Sequence, residues 1–309
     1  MEQQPQALDR LGAINAIAWH GDPAGAIPLY NQAIAQNPAN AQAYAFRGLA
    51  YRRLGNYQQA MADLNHAIEL DPAFAMGHVI RGSTHRGLGD LQKALADYTE
   101  AISLDPQYAA AYANRAMVQE DLGDLEAAVS DYDQAITHNP ADAAAYNNRG
   151  LVLAKLGRDE EAIRDYNRAI SLDPGDPSAY YNLGLAHAAL ECYDEAIDNY
   201  DAALALDDQD AGLYVNRGAA YDALGDTWQA IQDYSWAITL DPAMAQAYYN
   251  RGLCYSDLHE YPQALQDFNA ALRLDPRDPD LYRARAEAHT ALGNMGHAMV
   301  DCKRAEELE

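Results

Sequence analysis

Cysteine, phenylalanine and tryptophan each occur only three times in 309 residues, and 21 basic residues face 46 acidic ones. Each scarcity removes a class of protein. Cys192, Cys254 and Cys302 are far apart and odd in number, which argues against a disulfide framework and gives no paired spacing for zinc. A net charge of −25 repels phosphate backbones and anionic lipid, so neither nucleic acid nor a membrane surface is an expected partner. No apolar run is long enough to cross a bilayer. The first residues lack the basic stretch and apolar run of a secretory leader, and a reducing, cytoplasmic setting is the expectation. The closing Leu308-Glu309 is compatible with a cloning scar, after which the natural chain would differ.

What the chain does have is a period. Asn37-Pro38, Asp71-Pro72, Asp105-Pro106, Asn139-Pro140, Asp173-Pro174, Asp241-Pro242 and Asp275-Pro276 fall on one 34-residue grid, and Asp207-Asp208 fills its gap. Such a period marks a solenoid, whose units bury their apolar faces only against their neighbours. The expectation is a single array over 1–309. Residues 7–40 form a divergent first unit, 41–278 hold seven regular units, and 279–309 a shortened last one.

The unit at 41–74 shows the internal plan. Tyr44, Gly48, Tyr51 and Leu54 recur at helical spacing, so residues from about 41 to 54 make one amphipathic helix. Gly55 and Asn56 form a turn that glycine favours. Tyr57, Ala60, Leu64, Ala67 and Ile68 make a second apolar stripe, and Pro72 stops that helix. Small residues hold two fixed places, Gly48 and its equivalents in the first helix and Ala60 and its equivalents in the second. These columns predict where the paired helices cross closely.

Tyr44, Gly48, Tyr51, Ala60, Leu64, Ala67 and Pro72, repeated along residues 7–309, resemble the tetratricopeptide repeat family. That resemblance implies an all-α, right-handed superhelical solenoid of about nine antiparallel helix pairs, acting as a non-enzymatic protein-interaction scaffold. The first unit departs most, with Arg10 and Ala13 where apolar residues are expected.

The seventh residue of a unit, usually apolar in this family, is arginine seven times here. Arg47, Arg81, Arg115, Arg149, Arg217, Arg251 and Arg285 are each followed sixteen residues later by Asp63, Asp97, Asp131, Asp165, Asp233, Asp267 and Asp301. The unit at 177–210 loses both, with Leu183 and Asn199, and the first unit has Ala13 and Leu29. Joint retention and joint loss predict a structural ion pair between the two helices of one unit. The unit at 177–210 also has Glu191 in place of the turn glycine and Asp208 in place of proline, and is expected to be the softest joint.

No catalytic constellation, cofactor motif or metal cluster is visible. Gly87-Leu-Gly89 falls in a helix turn without the strand a phosphate loop needs. His78 and His85 share a helix face, and most tyrosines occupy core columns. In the family resembled, the sixth residue of each unit faces the concave groove. Here Asn114, Asn148, Asn182, Asn216 and Asn250 form a column of amides suited to the N–H and C=O groups of an extended peptide. The column resembles that in the tetratricopeptide arm of protein O-linked N-acetylglucosamine transferase.

Arg52, Arg53 and Arg86 are expected at a basic end of the groove, with Glu120, Asp121, Asp222 and Asp257 at an acidic end. The lysines and arginines of a chain-terminal carboxylate clamp are missing, only Arg283 coming near. Trp228 and Trp236, eight residues apart on one helix face, mark a second contact face or a self-association patch giving a homo-oligomer. The function expected is a scaffold that binds an extended peptide. The alternatives are a substrate-recruiting arm of a larger enzyme or assembly factor, and a self-associating structural protein.

Overall fold

The computed structural model describes residues 21–308, which contain 17 helices and, among the described residues, no strand. The first helix of the divergent unit, with Arg10 and Ala13, lies outside the described residues, as does Glu309. The helices are α1 (Pro23–Gln36), α2 (Ala41–Arg53), α3 (Tyr57–Leu70), α4 (Ala75–Gly87), α5 (Leu91–Leu104), α6 (Ala109–Asp121), α7 (Leu125–His138) and α8 (Ala143–Lys155). They continue as α9 (Asp159–Leu172), α10 (Pro177–Ala189), α11 (Tyr193–Leu206), α12 (Ala211–Ala223), α13 (Thr227–Leu240), α14 (Ala245–Asp257), α15 (Tyr261–Leu274), α16 (Pro279–Ala291) and α17 (Met295–Leu308). Two compact units result, one ending at Leu156 and one beginning at Gly157.

Packing within each unit follows chain order. In the first, α2–α3, α4–α5 and α6–α7 pair, and each second helix packs on the first helix that follows. In the second unit α10–α11, α12–α13, α14–α15 and α16–α17 do the same. First helices of successive repeats also touch one another: α2 meets α4, α4 meets α6, and α10, α12, α14 and α16 meet in turn. Each unit therefore has a layer of first helices in direct contact.

The small-residue columns do mark close approach, and the partner is an aromatic ring. A Cβ built on Gly184 would lie 2.5 Å from Cε1 of Tyr200, and one on Gly252 would lie 2.6 Å from that of Phe268. Tyr98, Tyr132, Tyr166, Tyr200, Tyr234 and Phe268 occupy one repeat position and are nearly all fully buried. At Gly82, Gly184, Gly218 and Gly252 ring against bare helix backbone is thus the core contact, and a side chain added there overpacks it.

The aspartate of the Asp-Pro grid has a role that the proline obscures in sequence. Asp71 accepts a hydrogen bond from the Ala73 amide at 3.1 Å, Asp105 from Gln107 at 3.0 Å and Asp241 from Ala243 at 2.9 Å. This side-chain turn satisfies a backbone donor in the inter-repeat link. Asp207 makes the same bond to Gln209 at 3.0 Å, although Asp208 replaces proline, so that link keeps the turn without the ring. The turn inside that repeat is strained instead: Glu191 takes φ of 60°, where Gly55, Gly89, Gly123 and Gly225 hold the equivalent place in other repeats. His259 does likewise at 61°.

Candidate functional site

The arginine column was expected to bridge two helices and in fact bridges three. Arg47 donates from Nε and Nη2 to Asp63 at 2.7 and 2.6 Å, and its remaining Nη1 reaches back to Asn31 of the preceding second helix at 2.7 Å. Arg81 bonds Asp97 and Asn65, Arg115 bonds Asp131 and Thr99, Arg251 bonds Asp267 and Ser235, and Arg285 bonds Asp301 and Asn269. Arg217 is held by Asp233 and Asp201. The carboxylates sixteen residues ahead are buried. Arg149 donates to Asp133 at 2.6 Å, and Asp165 is a buried residue of the second unit. Six of the seven guanidiniums also lie over a tyrosine, as Arg47 does over Tyr44 at 5.4 Å, the exception being Arg81, which has His78 at that position. The donors of these guanidiniums are thus engaged within the repeat array.

The column of asparagines lies on the first helices. In the first unit Asn114 donates to the Ala110 carbonyl of its own helix at 2.7 Å. Asn148 sits beside the Tyr132 hydroxyl without closing a hydrogen bond, which leaves that buried hydroxyl unpartnered. In the second unit Asn182 is buried at 9% exposure, Asn216 donates to the Tyr181 hydroxyl at 2.8 Å, and Asn250 accepts from Gln246 at 2.7 Å. In Asn114, Asn216 and Asn250 one polar atom of the side-chain amide is therefore spent internally. The side-chain carbonyls of Asn114 and Asn216 receive no hydrogen bond among the described residues.

The expected separation into a basic and an acidic end is altered by local pairing. Arg86 donates to Asp121 at 2.6 and 3.3 Å, and Lys155 donates to Glu120 at 2.7 Å. Both contacts step 35 residues, from one first helix to the next, so opposite charges cancel between neighbours. Sequence reading missed this because Arg86 and Asp121 occupy adjacent positions of different repeats, and only direct contact between first helices brings them together. Asp222 of the second unit instead accepts from the buried Cys254 thiol at 3.5 Å.

Arg52 is the exception. It stands half-buried in the last turn of α2, with no carboxylate partner among the described residues, and its Nε is buried without an acceptor. Burial pushes its guanidinium down from the ordinary arginine value. It borders a cavity of about 450 Å³ in the first unit, shared with Ser83, Arg86, Gly87, Tyr98, Asn114 and Asp121. Ser83 and Tyr98 satisfy each other at 3.0 Å. Arg53, beside Arg52, is exposed.

Trp228 and Trp236 are 60% and 57% exposed on α13, and Trp236 stacks on Tyr214 with centroids 6.4 Å apart. Among the described residues no group of histidine, cysteine, aspartate or glutamate could hold a metal ion. No helix among them is long and apolar enough to cross a membrane.

Models of the tetratricopeptide repeat match residues 20–73, 82–123, 120–157, 152–191, 177–210, 211–244 and 245–278. The chain belongs to the tetratricopeptide repeat family, whose members are generally non-catalytic protein-interaction scaffolds. No curated protein matches the sequence. Among solved structures, MamA is 27% identical with a TM-score of 0.50, the match covering 52% of this chain and 93% of that one. YrrB, described as a tetratricopeptide repeat protein with an unusual peptide-binding site, is 24% identical over 60% of this chain and 95% of its own, with a TM-score of 0.53. The Cut9–Hcn1 hetero-tetramer of APC/C is 18% identical, covering 90% of this chain and 55% of that one, with a TM-score of 0.62.

Proposed function

We propose that the protein is a scaffold whose first-helix layers hold an extended segment of a partner protein. Asn114 and Asn148 contribute in the first unit, and Asn182, Asn216 and Asn250 in the second. The observation that carries this reading is the unused carbonyl of the half-exposed Asn114 and Asn216, each beside an amide fixed by an internal bond. A fixed, unsatisfied acceptor suits a backbone N–H, which every extended peptide offers regardless of sequence. YrrB's described peptide-binding site supports the same use of the fold.

The test is fluorescence anisotropy of a varied set of extended peptides with the wild type and an Asn114, Asn148, Asn216→Ala variant of equal helicity. Asn182 is left intact because it is buried. We expect the variant to bind at least tenfold more weakly, each of the three lost hydrogen bonds being worth about 0.5–1.5 kcal/mol. Equal binding makes the amides structural.

A second reading rests on the two exposed tryptophans, which form a separate contact face on α13. Sedimentation velocity of the Trp228→Ser, Trp236→Ser variant tests it. If self-association is present in the wild type and absent in the variant, this face joins copies of the chain.

A further inference from the structure

Arg52 differs from the arginines around it in one respect. Arg47, Arg81, Arg86 and Arg115 of the same unit each grip a carboxylate through at least two hydrogen bonds. Arg52 grips none, and its Nε is sealed from solvent with no acceptor. A guanidinium stays protonated in any protein environment, so the burial leaves an uncompensated cation rather than a neutral group. It stands on the rim of the cavity described above. There the neighbouring Arg86 has spent Nε and Nη2 on Asp121, while its Nη1 meets only the Met117 sulfur at 3.7 Å. Two guanidinium edges with donors to spare thus border one cavity of about 450 Å³, roomy enough for a side chain and its water.

We propose that this cavity is a specificity pocket for a carboxylate, the side chain of an aspartate or glutamate in the bound segment. Arg52 provides the planar fork and Arg86 Nη1 the second cation. This deepens the scaffold reading and rests on it for the surrounding peptide. Charge selects the ligand class: Arg86 and Asp121 cancel, leaving the single positive charge of Arg52 in the lining. One carboxylate neutralises it, whereas a phosphate dianion would leave surplus negative charge against Asp121. The position selects a side chain over a chain terminus. The lining comes from three consecutive repeats, with α4 touching both α2 and α6, so a segment lying on these helices runs on past the cavity in both directions.

The test uses acetylated, amidated nonapeptides with glutamate, glutamine or phosphoserine at the centre, and a matching glutamine peptide with a free C-terminus. Each is titrated into the wild type, Arg52→Gln and, as a charge-loss control outside the cavity lining, Lys93→Gln, with melting temperatures checked for all three proteins. We expect the glutamate peptide to bind the wild type about tenfold more tightly than glutamine or phosphoserine. That preference should vanish in Arg52→Gln and persist in Lys93→Gln. Equal binding of glutamate and glutamine, a preference that survives Arg52→Gln, or tightest binding of phosphoserine or of the free terminus each overturns the assignment. A separate titration with N-acetyl-glutamate methylamide follows the Arg52 Nε–H resonance by NMR. If no peptide binds but this probe moves the resonance, the scaffold reading fails and the pocket stands. If the probe moves nothing that its glutamine analogue does not, the pocket fails whatever the peptides show.

Discussion

Arg115 holds Asp131 through two parallel hydrogen bonds of 2.7 and 2.8 Å, from the first helix of a repeat to the second. The guanidinium remains about one-fifth exposed while the carboxylate is buried, so the two partners are unequal in what their loss would leave behind. Truncating the arginine strands a buried negative charge. Truncating the aspartate strands a cation that water can still reach.

Asp131→Ala is accordingly expected to destabilise by about 2–3 kcal/mol, below the roughly 3–5 kcal/mol of a fully buried pair, and Arg115→Ala by more. Urea denaturation of both variants measures the asymmetry. Two unchanged midpoints would show that the pair contributes nothing to stability.

Glu191 holds a left-handed conformation that costs a non-glycine residue about 1–2 kcal/mol. Glu191→Gly removes that strain and returns part of the gain through the freer unfolded chain. A net stabilisation of about 0.5–1 kcal/mol is expected in thermal or urea unfolding. His259→Gly should gain less, because the His259 ring lies 2.9 Å from the Tyr261 hydroxyl and that contact would go. A Glu191→Gly protein less stable than the wild type would place the strain elsewhere.

Asp97 is faced by three side chains: Arg81, His78 with Nδ1 at 3.5 Å, and His85 with Nε2 at 3.9 Å. The Asp97 carboxylate raises His78 above its ordinary value, while burial lowers His85, with Lys93, Arg81 and Asp90 as its other charged neighbours. Burial pushes Asp97 up, but the nearby His78 ring and the hydrogen bonds from Arg81 outweigh it and hold the carboxyl below the usual range. The two histidines therefore act oppositely with pH. His78 contributes stability that is complete below its unfolded pKa of about 6.5 and is lost as pH rises through its higher folded value. His85 contributes stability present above about 6.5 and lost as pH falls through its lower folded value. Urea midpoints across this range should show the wild type gaining on His78→Gln as pH falls and losing ground to His85→Gln. Parallel curves for all three proteins would remove both effects.

Cys254 is fully buried, and burial together with Asp222 pushes its thiol up, whereas Cys302 is exposed. The thiolate is the reacting species, so a maleimide at neutral pH should label Cys302 first and leave Cys254 untouched until the protein unfolds. Peptide mapping after a short pulse reads this directly. Early label on Cys254 would mean that α14 opens under native conditions.

Helix pairs, turns and the ion-pair column were legible because each is written as a fixed interval within one repeat. What was not legible lies between repeats. The backward reach of Arg47 to Asn31 joins a charge that recurs along the chain to a position that reads Asn, Thr, Asp or Ser, a column with no single identity to notice. The Arg86–Asp121 pair was likewise hidden, since the sequence pattern assigns its members to opposite ends of a charge gradient. The Asp-Pro signature misled more mildly. Proline drew attention as the stop signal, yet at Asp207 the turn is made by the aspartate side chain with no proline present. Arg52 was singled out for its charge, but its lack of an acceptor needed the packed helices to be seen.

The arginine's symmetrical reach, sixteen residues back and sixteen forward, makes the array tolerant of recombination by whole modules. Excision of any 34-residue block within either unit, or duplication of one that keeps Arg47 together with Asp63, returns an oxygen-bearing side chain to both ends of every remaining guanidinium. A cut that enters an arginine's span with a length not a multiple of 34 shifts one of its partners out of register. Ancestral lengthening or shortening of such a chain would thus have had a natural step size, set by side-chain bonding as much as by helix geometry.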